Sequence, residues 1–412
     1  MSSDVAAKSS SSSSDGDDPI VADWSRLPSD ILSIVSSLLQ KNSDYVSFLL
    51  VCRWWRSSSP SPRPPPPLLL FAYPSPDDSS RYYKHHSPLS QCSGPLFLFT
   101  PSPAAGRNQR HVPFPDSAHS ALCGSADGFL VLRKKLQRNS GPPFAVSLLN
   151  PFTKHRLSLP ALPSQWPPRK IVPSFSPVGS SSFVAVAIIP LASPLFFHIR
   201  GENSWRRLPL LRIFLDAVFH AGRMYAVDDT GSLYFYNVST VPTRSPTLFH
   251  WIDSWTLSPP PSLPQPPSLH QPPYNPLQNM KHYVVHLEGV MLVVVRHYRQ
   301  PRYHETCRFE AFEVKDCSGG GGDDGGEFKC SRVRDLGKMA IFLGTNASFS
   351  LCAHKFPGYQ ANCIYFTDDS VSRFPEDRKE ECGVYDMQTG EIEPLRFGCL
   401  AVPPAVWFLS VP

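Results

Sequence analysis

The sequence predicts a mainly β protein in which a small helical unit precedes a β-propeller. The 46 prolines in 412 residues are about twice the usual share, and such a density favours turns over long helices. Before a proline run that begins near residue 59 the apolar residues recur with the period of a helix, and after it they alternate as in strands. Strand–turn–strand units then recur along the chain, which favours a propeller over its structural alternative, a pair of β-sandwich domains.

The first 58 residues divide into a leader and a helical unit. Residues 1–20 are mostly Ser, Asp and Gly, with too few apolar side chains to offset the entropy of ordering, so they are predicted to be disordered. In residues 21–58, apolar residues at three- and four-residue spacing predict that a helix begins near Pro28. These apolar residues are Ile31, Leu32, Val35, Leu38 and Leu39.

The helical unit holds more large apolar residues than so short a segment can bury within itself. Two explanations remain open. The side chains pack against the rest of the chain, or they form a surface for a partner protein.

A proline-rich linker at 59–67 ends the helical part, and residues 68–410 carry the strand pattern. Two segments that start at Val218 and Val284 match each other: in each, a strand with a histidine, His220 or His286, leads through a glycine turn into a second strand. Flexible insertions are expected near 257–276, which is rich in proline, and near 316–327, which is rich in glycine and acid.

Several classes of function are disfavoured by composition and motifs. The net charge of +5 is spread along the chain, so no nucleic-acid surface is predicted. No apolar run reaches the ~20 residues of a membrane span, and the start of the chain lacks the apolar core of a signal peptide. We therefore expect a cytoplasmic or nuclear protein, or one found in both compartments.

No catalytic, cofactor-binding or metal-binding residues are predicted. The ten cysteines include no C-x-x-C pair, and neither a nucleophile elbow nor a zinc-binding histidine pair is present. The acidic pairs Asp228-Asp229 and Asp368-Asp369 follow strands and are interpreted as turn residues.

The segments "DWSRLPSDILSIVSSLL" and "VSFLLVCRWWRS" resemble an F-box, the helical module that docks on the Skp adaptor of cullin-based ubiquitin ligases. The resemblance implies that the same residues bind the adaptor. These residues are Leu27, Pro28, Asp30, Ile31, Leu32, Val51, Cys52 and Trp55.

The strands resemble the plant F-box-associated propellers of KIB type, through "GFLVL" at Gly128, "LLNPFT" at Leu148, "NCIYFTDD" at Asn362 and "GVYDMQTGEIEPL" at Gly383. The resemblance covers roughly residues 23–400. It implies a kelch-like β-propeller of six or seven blades behind a small all-α F-box.

This resemblance implies a non-catalytic substrate-recognition subunit of a Skp–cullin–F-box (SCF) ubiquitin ligase. Its partners would be a Skp adaptor, through it a cullin, and a substrate protein that the sequence does not identify. Candidate anchors for that protein are Tyr359, Trp205 and Arg373. Two other hypotheses remain: a propeller enzyme or carbohydrate-binding protein with a structural helical cap, and an F-box scaffold that delivers nothing for ubiquitination.

Overall fold

The computed structural model divides the chain into two compact units, Met1–Arg63 and Pro64–Pro412. The predicted leader, the proline-rich insertion and nearly all of the linker and of the glycine-rich insertion lie outside the described residues. The described residues are 23–39, 48, 51–58, 67–72, 96–99, 110–112, 120–136, 144–151, 154–164, 168–174, 184–189, 195–208, 212–237, 247–249, 280–299, 305–316, 328–356, 358–369, 381–395 and 402–409.

The first unit contains a 3-10 helix at Trp24–Arg26 and two α-helices, α1 at Ser29–Leu38 and α2 at Arg53–Ser58. The Asp23 carboxylate begins the 3-10 helix by accepting a hydrogen bond from the Ser25 amide at 3.1 Å. Pro28 is the N-cap of α1, and its carbonyl accepts from the Leu32 amide at 3.0 Å. Proline suits this position because a helix start needs no donor from it.

The second unit consists, in its described residues, of six sheets. Blade 1 contains β1 (Leu68–Ala72), β2 (Leu96–Phe99), β3 (Arg110–Val112) and β25 (Val402–Phe408). Blade 2 contains β4 (Ser120–Ala126), β5 (Phe129–Lys135), β6 (Phe144–Leu149) and β7 (Arg156–Leu162). Blade 3 contains β8 (Lys170–Ser174), β9 (Val184–Ile188), β10 (Phe196–Ile199) and β11 (Arg206–Arg207).

The other three blades follow in chain order. Blade 4 contains β12 (Phe214–His220), β13 (Arg223–Asp228), β14 (Leu233–Asn237) and β15 (Thr247–Phe249). Blade 5 contains β16 (Met280–Leu287), β17 (Val290–Tyr298), β18 (Thr306–Asp316) and β19 (Phe328–Val333). Blade 6 contains β20 (Met339–Leu343), β21 (Phe349–Cys352), β22 (Cys363–Phe366), β23 (Gly383–Asp386) and β24 (Ile392–Pro394).

Neighbouring blades share their cores, which closes the six sheets into a ring around a central channel. Separate apolar clusters join blades 2 and 3, 3 and 4, 4 and 5, 5 and 6, and 6 and 1, and β25 contacts β4 between blades 1 and 2. Because both faces of each blade are covered, strands such as β9 and β20 are apolar and buried along their whole length. The fold is the predicted β-propeller, and the described residues form six blades.

The inner hairpins of blades 2, 4 and 5 end in the same two-residue turn. Both turn residues have positive φ, which defines a type I′ turn and explains the glycine at its second position. The turns are Asp127-Gly128, Ala221-Gly222 and Glu288-Gly289. The glycine turns predicted after His220 and His286 are confirmed.

Blade 1 is built from two distant parts of the chain. Its inner strand is β25, which pairs antiparallel with β1 so that Leu69 lies opposite Trp407. Trp407 is fully buried against the rings of Phe342 and Tyr365 of blade 6. This pairing joins the two ends of the ring.

Blade 6 departs from a simple meander because β20 pairs antiparallel with β21 and parallel with β22. The chain reaches β22 through a crossover that holds the buried side chains of Ala353, Phe356 and Tyr359. The segment that starts at His354 is thus a structural crossover.

The connection from β20 to β21, residues 344–348, reaches across the central channel, and we call it the crossing segment. The Ala347 amide donates to the Ser125 carbonyl of blade 2 at 2.8 Å, and the Ser348 hydroxyl donates to the Asp216 carboxylate of blade 4. Asp216 also accepts from the Lys170 ammonium at 2.6 Å. The crossing segment therefore links three blades at the middle of the ring.

Candidate functional site

The helical unit has a small core of its own. Leu32 on α1 is fully buried and Phe48 nearly so, and the ring of Phe48 lies 5.0 Å from that of Trp55 on α2. Leu27, Val35, Leu39 and Trp55 pack around this pair. The described side chains that meet here are few, and so small a core contributes little stability by itself.

The two tryptophans of α2 attach this helix to the start of the unit. The Trp54 indole donates to the Leu27 carbonyl at 2.9 Å, and the Trp55 indole donates to the Trp24 carbonyl at 2.8 Å. Each ring thus has its polar end satisfied, which leaves its apolar faces for packing. The Trp55 ring faces the core, whereas the Trp54 side chain is about half exposed, at 49%.

A set of large apolar side chains remains in water on this unit, and we call it the apolar face. Seven such side chains are exposed in the described part of the chain, and six of them lie here, within only 31 residues. The six are Trp24, Ile31, Ile34, Leu38, Val51 and Trp54. Single exposed apolar residues are ordinary, but a group of this kind in so short a segment is typical of interaction surfaces.

Comparison with known families identifies the propeller that follows this unit in the chain. The KIB1-4 beta-propeller family model matches residues 98–386. The chain belongs to the KIB1-4 β-propeller family.

Curated relatives extend the match to the helical unit. The F-box protein SKIP23 of Arabidopsis thaliana is 23% identical over 95% of this chain and 96% of its own length. A second Arabidopsis thaliana F-box protein, At1g65770, is 22% identical over 85% of this chain and 91% of its own. Among solved structures, the β-propeller domain of Myceliophteria thermophila Cps50 (Swd1) aligns at 10% identity with a TM-score of 0.35, covering 78% of this chain and 88% of that one. The chain is thus an F-box protein with a KIB1-4 propeller.

The structure separates the eight residues that the F-box resemblance selected into three environments. Pro28, Asp30, Ile31 and Val51 are exposed, and Leu27, Cys52 and Trp55 are half-buried. Leu32 is fully buried and points into the core of the unit, so its side chain is not on the free surface.

Four members of the apolar face were not selected from the sequence: Trp24, Ile34, Leu38 and Trp54. The helical period could have found two of them. Positions 31, 34 and 38 form one stripe of α1 and positions 32, 35 and 39 the adjoining one. The second stripe packs in the core of the unit and the first is exposed, so the apolar residues that predict the helix belong to two faces of it.

In the KIB1-4 propeller, one residue of the second acidic pair, Asp369, forms buried ion pairs. The carboxylate of Asp369 contacts the Lys281 ammonium, lies 3.6 Å from an Arg296 guanidinium nitrogen, and accepts from the Tyr283 hydroxyl at 3.0 Å. Burial alone would raise the pKa of Asp369, but the neighbouring charges of Lys281, Arg169 and Arg296 outweigh it and hold that pKa well below its usual range. Asp369 is therefore a buried counter-ion and not a turn residue.

The first acidic pair is a turn, as predicted. The buried Asp228 carboxylate accepts from the amides of Thr230 at 3.0 Å and Ser232 at 2.9 Å, which folds the chain between β13 and β14. Within the described residues no group of three or more His, Cys, Asp or Glu side chains could hold a metal ion. No described helix is long and apolar enough to cross a membrane.

Two of the three candidate anchors for a substrate protein are buried in the propeller. The Trp205 indole donates to the Pro160 carbonyl at 2.8 Å, and the Tyr359 hydroxyl donates to the Pro67 carbonyl. Both side chains serve the core, so the prediction that they anchor a partner is wrong for the folded propeller. Arg373 lies outside the described residues.

Proposed function

We propose that this protein is the substrate-recognition subunit of an SCF ubiquitin ligase, in which the F-box binds a Skp adaptor and the propeller binds a substrate protein. The apolar face carries the proposal, because it is large for so small a unit and is held by tryptophans whose polar ends are already satisfied. F-box membership supports the choice of a Skp adaptor as the partner. Such a complex would act in the cytoplasm, the nucleus or both.

Binding would be driven by removing the apolar face from water. Each fully buried large side chain contributes about 1.5–3 kcal/mol of transfer free energy. Part of this is offset by the loss of translational and side-chain freedom on association. Ile31, Ile34 and Leu38 would act together because they form one continuous stripe on α1.

The propeller would act by position and not by chemistry. Through the adaptor and a cullin, a bound substrate would be held close to the ubiquitin-conjugating enzyme, so that its lysine reacts at a raised effective concentration. The reactive thiols belong to other subunits, and F-box proteins are typically non-catalytic adaptors.

The test is direct binding of the full chain to a purified Skp adaptor, measured by calorimetry. The variant Ile34→Arg/Leu38→Arg places two charges on the apolar face without touching the buried core of the unit. Since two apolar side chains are replaced by charges that would have to be desolvated, we expect affinity to fall by about 100-fold or more. This variant is cleaner than Leu27→Ala, because Leu27 also packs in the core.

The matched control is Ile213→Arg, at an exposed apolar residue of the propeller, which should bind the adaptor as the wild type does. Equal binding by the Ile34→Arg/Leu38→Arg variant would mean that the apolar face is not the adaptor site. Failure of the wild type to bind would contradict the ligase role itself.

A further inference from the structure

The central channel opens at one end into a cavity of about 210 Å³, which we call the channel-mouth cavity. Its wall is formed where the inner strands end, and the crossing segment forms its floor. Apolar side chains make up much of the wall, among them Pro173, Val218, Phe219 and Phe349. The volume lies below the roughly 300–1,000 Å³ of small-molecule sites, so it suits one inserted side chain better than a cofactor.

One carboxylate, that of Asp127, stands in this wall. Its side chain is exposed to solvent at the tip of the turn, and desolvation by the neighbouring wall raises the pKa of Asp127 to about 6. No described group donates a hydrogen bond or a positive charge to it. A cation from a partner that entered the cavity could therefore form a charge-assisted hydrogen bond with this carboxylate without displacing another partner.

The type I′ turn does not require a carboxylate at the position of Asp127. Asp127 occupies the first position of the type I′ turn of blade 2, where blade 4 has Ala221 and blade 5 has Glu288. The Glu288 carboxylate pairs with the Lys338 ammonium at 2.9 Å and does not line the cavity. Of the equivalent turn positions, Asp127 alone places an unpaired charge at the channel mouth.

The other polar groups of the wall are already used. The hydroxyls of Ser125, Ser348 and Ser350 donate to the Trp407 carbonyl, the Asp216 carboxylate and the His286 carbonyl. His286 accepts from the Gly289 amide through Nε2 at 3.0 Å and stacks on His220 with the ring centres 3.4 Å apart.

His286 adds no lasting positive charge to the wall. Burial and the adjacent His220 lower the pKa of His286, so this imidazole is neutral near pH 7. Among the described wall residues, the charge that remains at this pH is that of Asp127.

We infer that the channel-mouth cavity binds a lysine or arginine side chain of a partner polypeptide, with Asp127 as its counter-ion. The aliphatic stem of the guest would lie along Phe219, Phe349 and the neighbouring apolar wall, while its charged end meets the carboxylate. This inference rests on the proposed function, since that partner would be the protein delivered for ubiquitination.

The experiment selects ligands with the full chain from a library of linear heptapeptides displayed on phage. We expect the recovered peptides to share a Lys or Arg. The strongest peptide is then synthesised beside a copy with norleucine for Lys or citrulline for Arg, and both are titrated against wild type and Asp127→Asn. Asn tolerates the positive φ of 45° at this position, so the variant should fold.

Removing either the Asp127 carboxylate or the cation of the peptide should weaken binding about tenfold or more. Removing both should weaken binding little more than removing one of them, because the two charges interact with each other. Glu288→Gln is the matched control, since it removes a carboxylate from the equivalent turn of blade 5 outside the cavity, and its binding should equal that of the wild type. The inference is overturned if no peptide is recovered, if the peptides show no excess of Lys or Arg, or if Asp127→Asn binds them equally.

Adaptor binding, measured on the same proteins, separates this inference from the proposed function. If the wild type recovers cationic peptides but binds no Skp adaptor, the ligase role is contradicted and the inference about the cavity is supported. An Asp127→Asn variant that still binds the adaptor shows that the F-box is intact, so any loss of peptide belongs to the cavity.

Discussion

Leu32 and Ile34 lie two positions apart on α1 but have opposite environments. Both are aliphatic, both lie on α1, and a sequence pattern that asks only for apolar residues at helical spacing accepts either. Leu32 is 0% exposed in the core of the unit and Ile34 is 56% exposed on the apolar face. The sequence predicts the helix and its apolar character. Which stripe is buried depends on where Phe48 and Trp55 pack, and the spacing of apolar residues alone does not reveal this.

A buried histidine in the propeller should give the protein a pH-dependent stability. Burial, and secondarily the neighbouring His297, lowers the pKa of His282 from 6.5 to about 4. Between these two pH values the unfolded chain binds a proton that the folded chain does not, so stability is lost as pH falls through this window. The loss from this one group amounts to roughly 3 kcal/mol.

The measurement is urea unfolding of wild type and His282→Gln at several pH values from 7 to 4. The variant should lose less stability than the wild type over that range, whatever its stability at pH 7. A His354→Gln variant, changed at an exposed histidine, should keep the wild-type slope. Equal slopes for wild type and His282→Gln would refute the assignment.

At the scale of elements, strands and tight turns follow from the sequence, and the crossing segment does not. Alternation and X-Gly pairs predict the hairpins of blades 2, 4 and 5, because those signals are local. The polar run Thr345, Asn346, Ala347 and Ser348 has the composition of a surface loop, yet three of the four side chains are buried. Its partners lie in blades 2 and 4, more than a hundred residues away in sequence, so no local pattern reveals them.

Close packing of this segment makes Gly124 on β4 sensitive to substitution. A Cβ at Gly124 would lie 2.8 Å from the Thr345 carbonyl oxygen, a backbone atom that no rotamer change can move away. We expect Gly124→Ala to lower the free energy of unfolding by about 1–3 kcal/mol, measured by urea denaturation.

Gly222→Asn provides the comparison for this substitution. No atom lies within 4 Å of a Cβ at Gly222, and Asn tolerates its φ of 74°, so that variant should stay close to the wild type. If Gly124→Ala were as stable as Gly222→Asn, the crossing segment would have to lie elsewhere.

At the scale of the whole molecule, the sequence predicts a propeller but leaves six or seven blades open, and the structure has six sheets in its described residues. All four strands of blade 3 lie between residues 161 and 210, a stretch in which the sequence does not show where the blade begins and ends. Its strands are short, and β8, β9 and β10 are mostly buried, so β9 lacks the alternation that marks a strand with one face in water. The count also depends on joining β25 to β1, a pairing between distant segments.

Closure of the ring by β25 predicts the effect of a deletion. Removing residues 402–412 takes away the inner strand of blade 1 and exposes the apolar surface that Trp407 covers. We expect the shortened chain to lose cooperative urea unfolding and to aggregate on size-exclusion chromatography. Removal of 410–412 alone keeps the strand and should change neither property, and a cooperative transition at the wild-type midpoint in the longer deletion would argue against the closure.

The position of β25 also orders events during protein synthesis. The F-box leaves the ribosome before any blade, whereas the strand that completes blade 1 follows every other described strand of the ring. A nascent chain can therefore present the apolar face before its propeller is closed. A message cut short before residue 402 would yield a polypeptide that carries the F-box without a finished ring. Under the proposed function, such a product would compete with the intact protein for the adaptor.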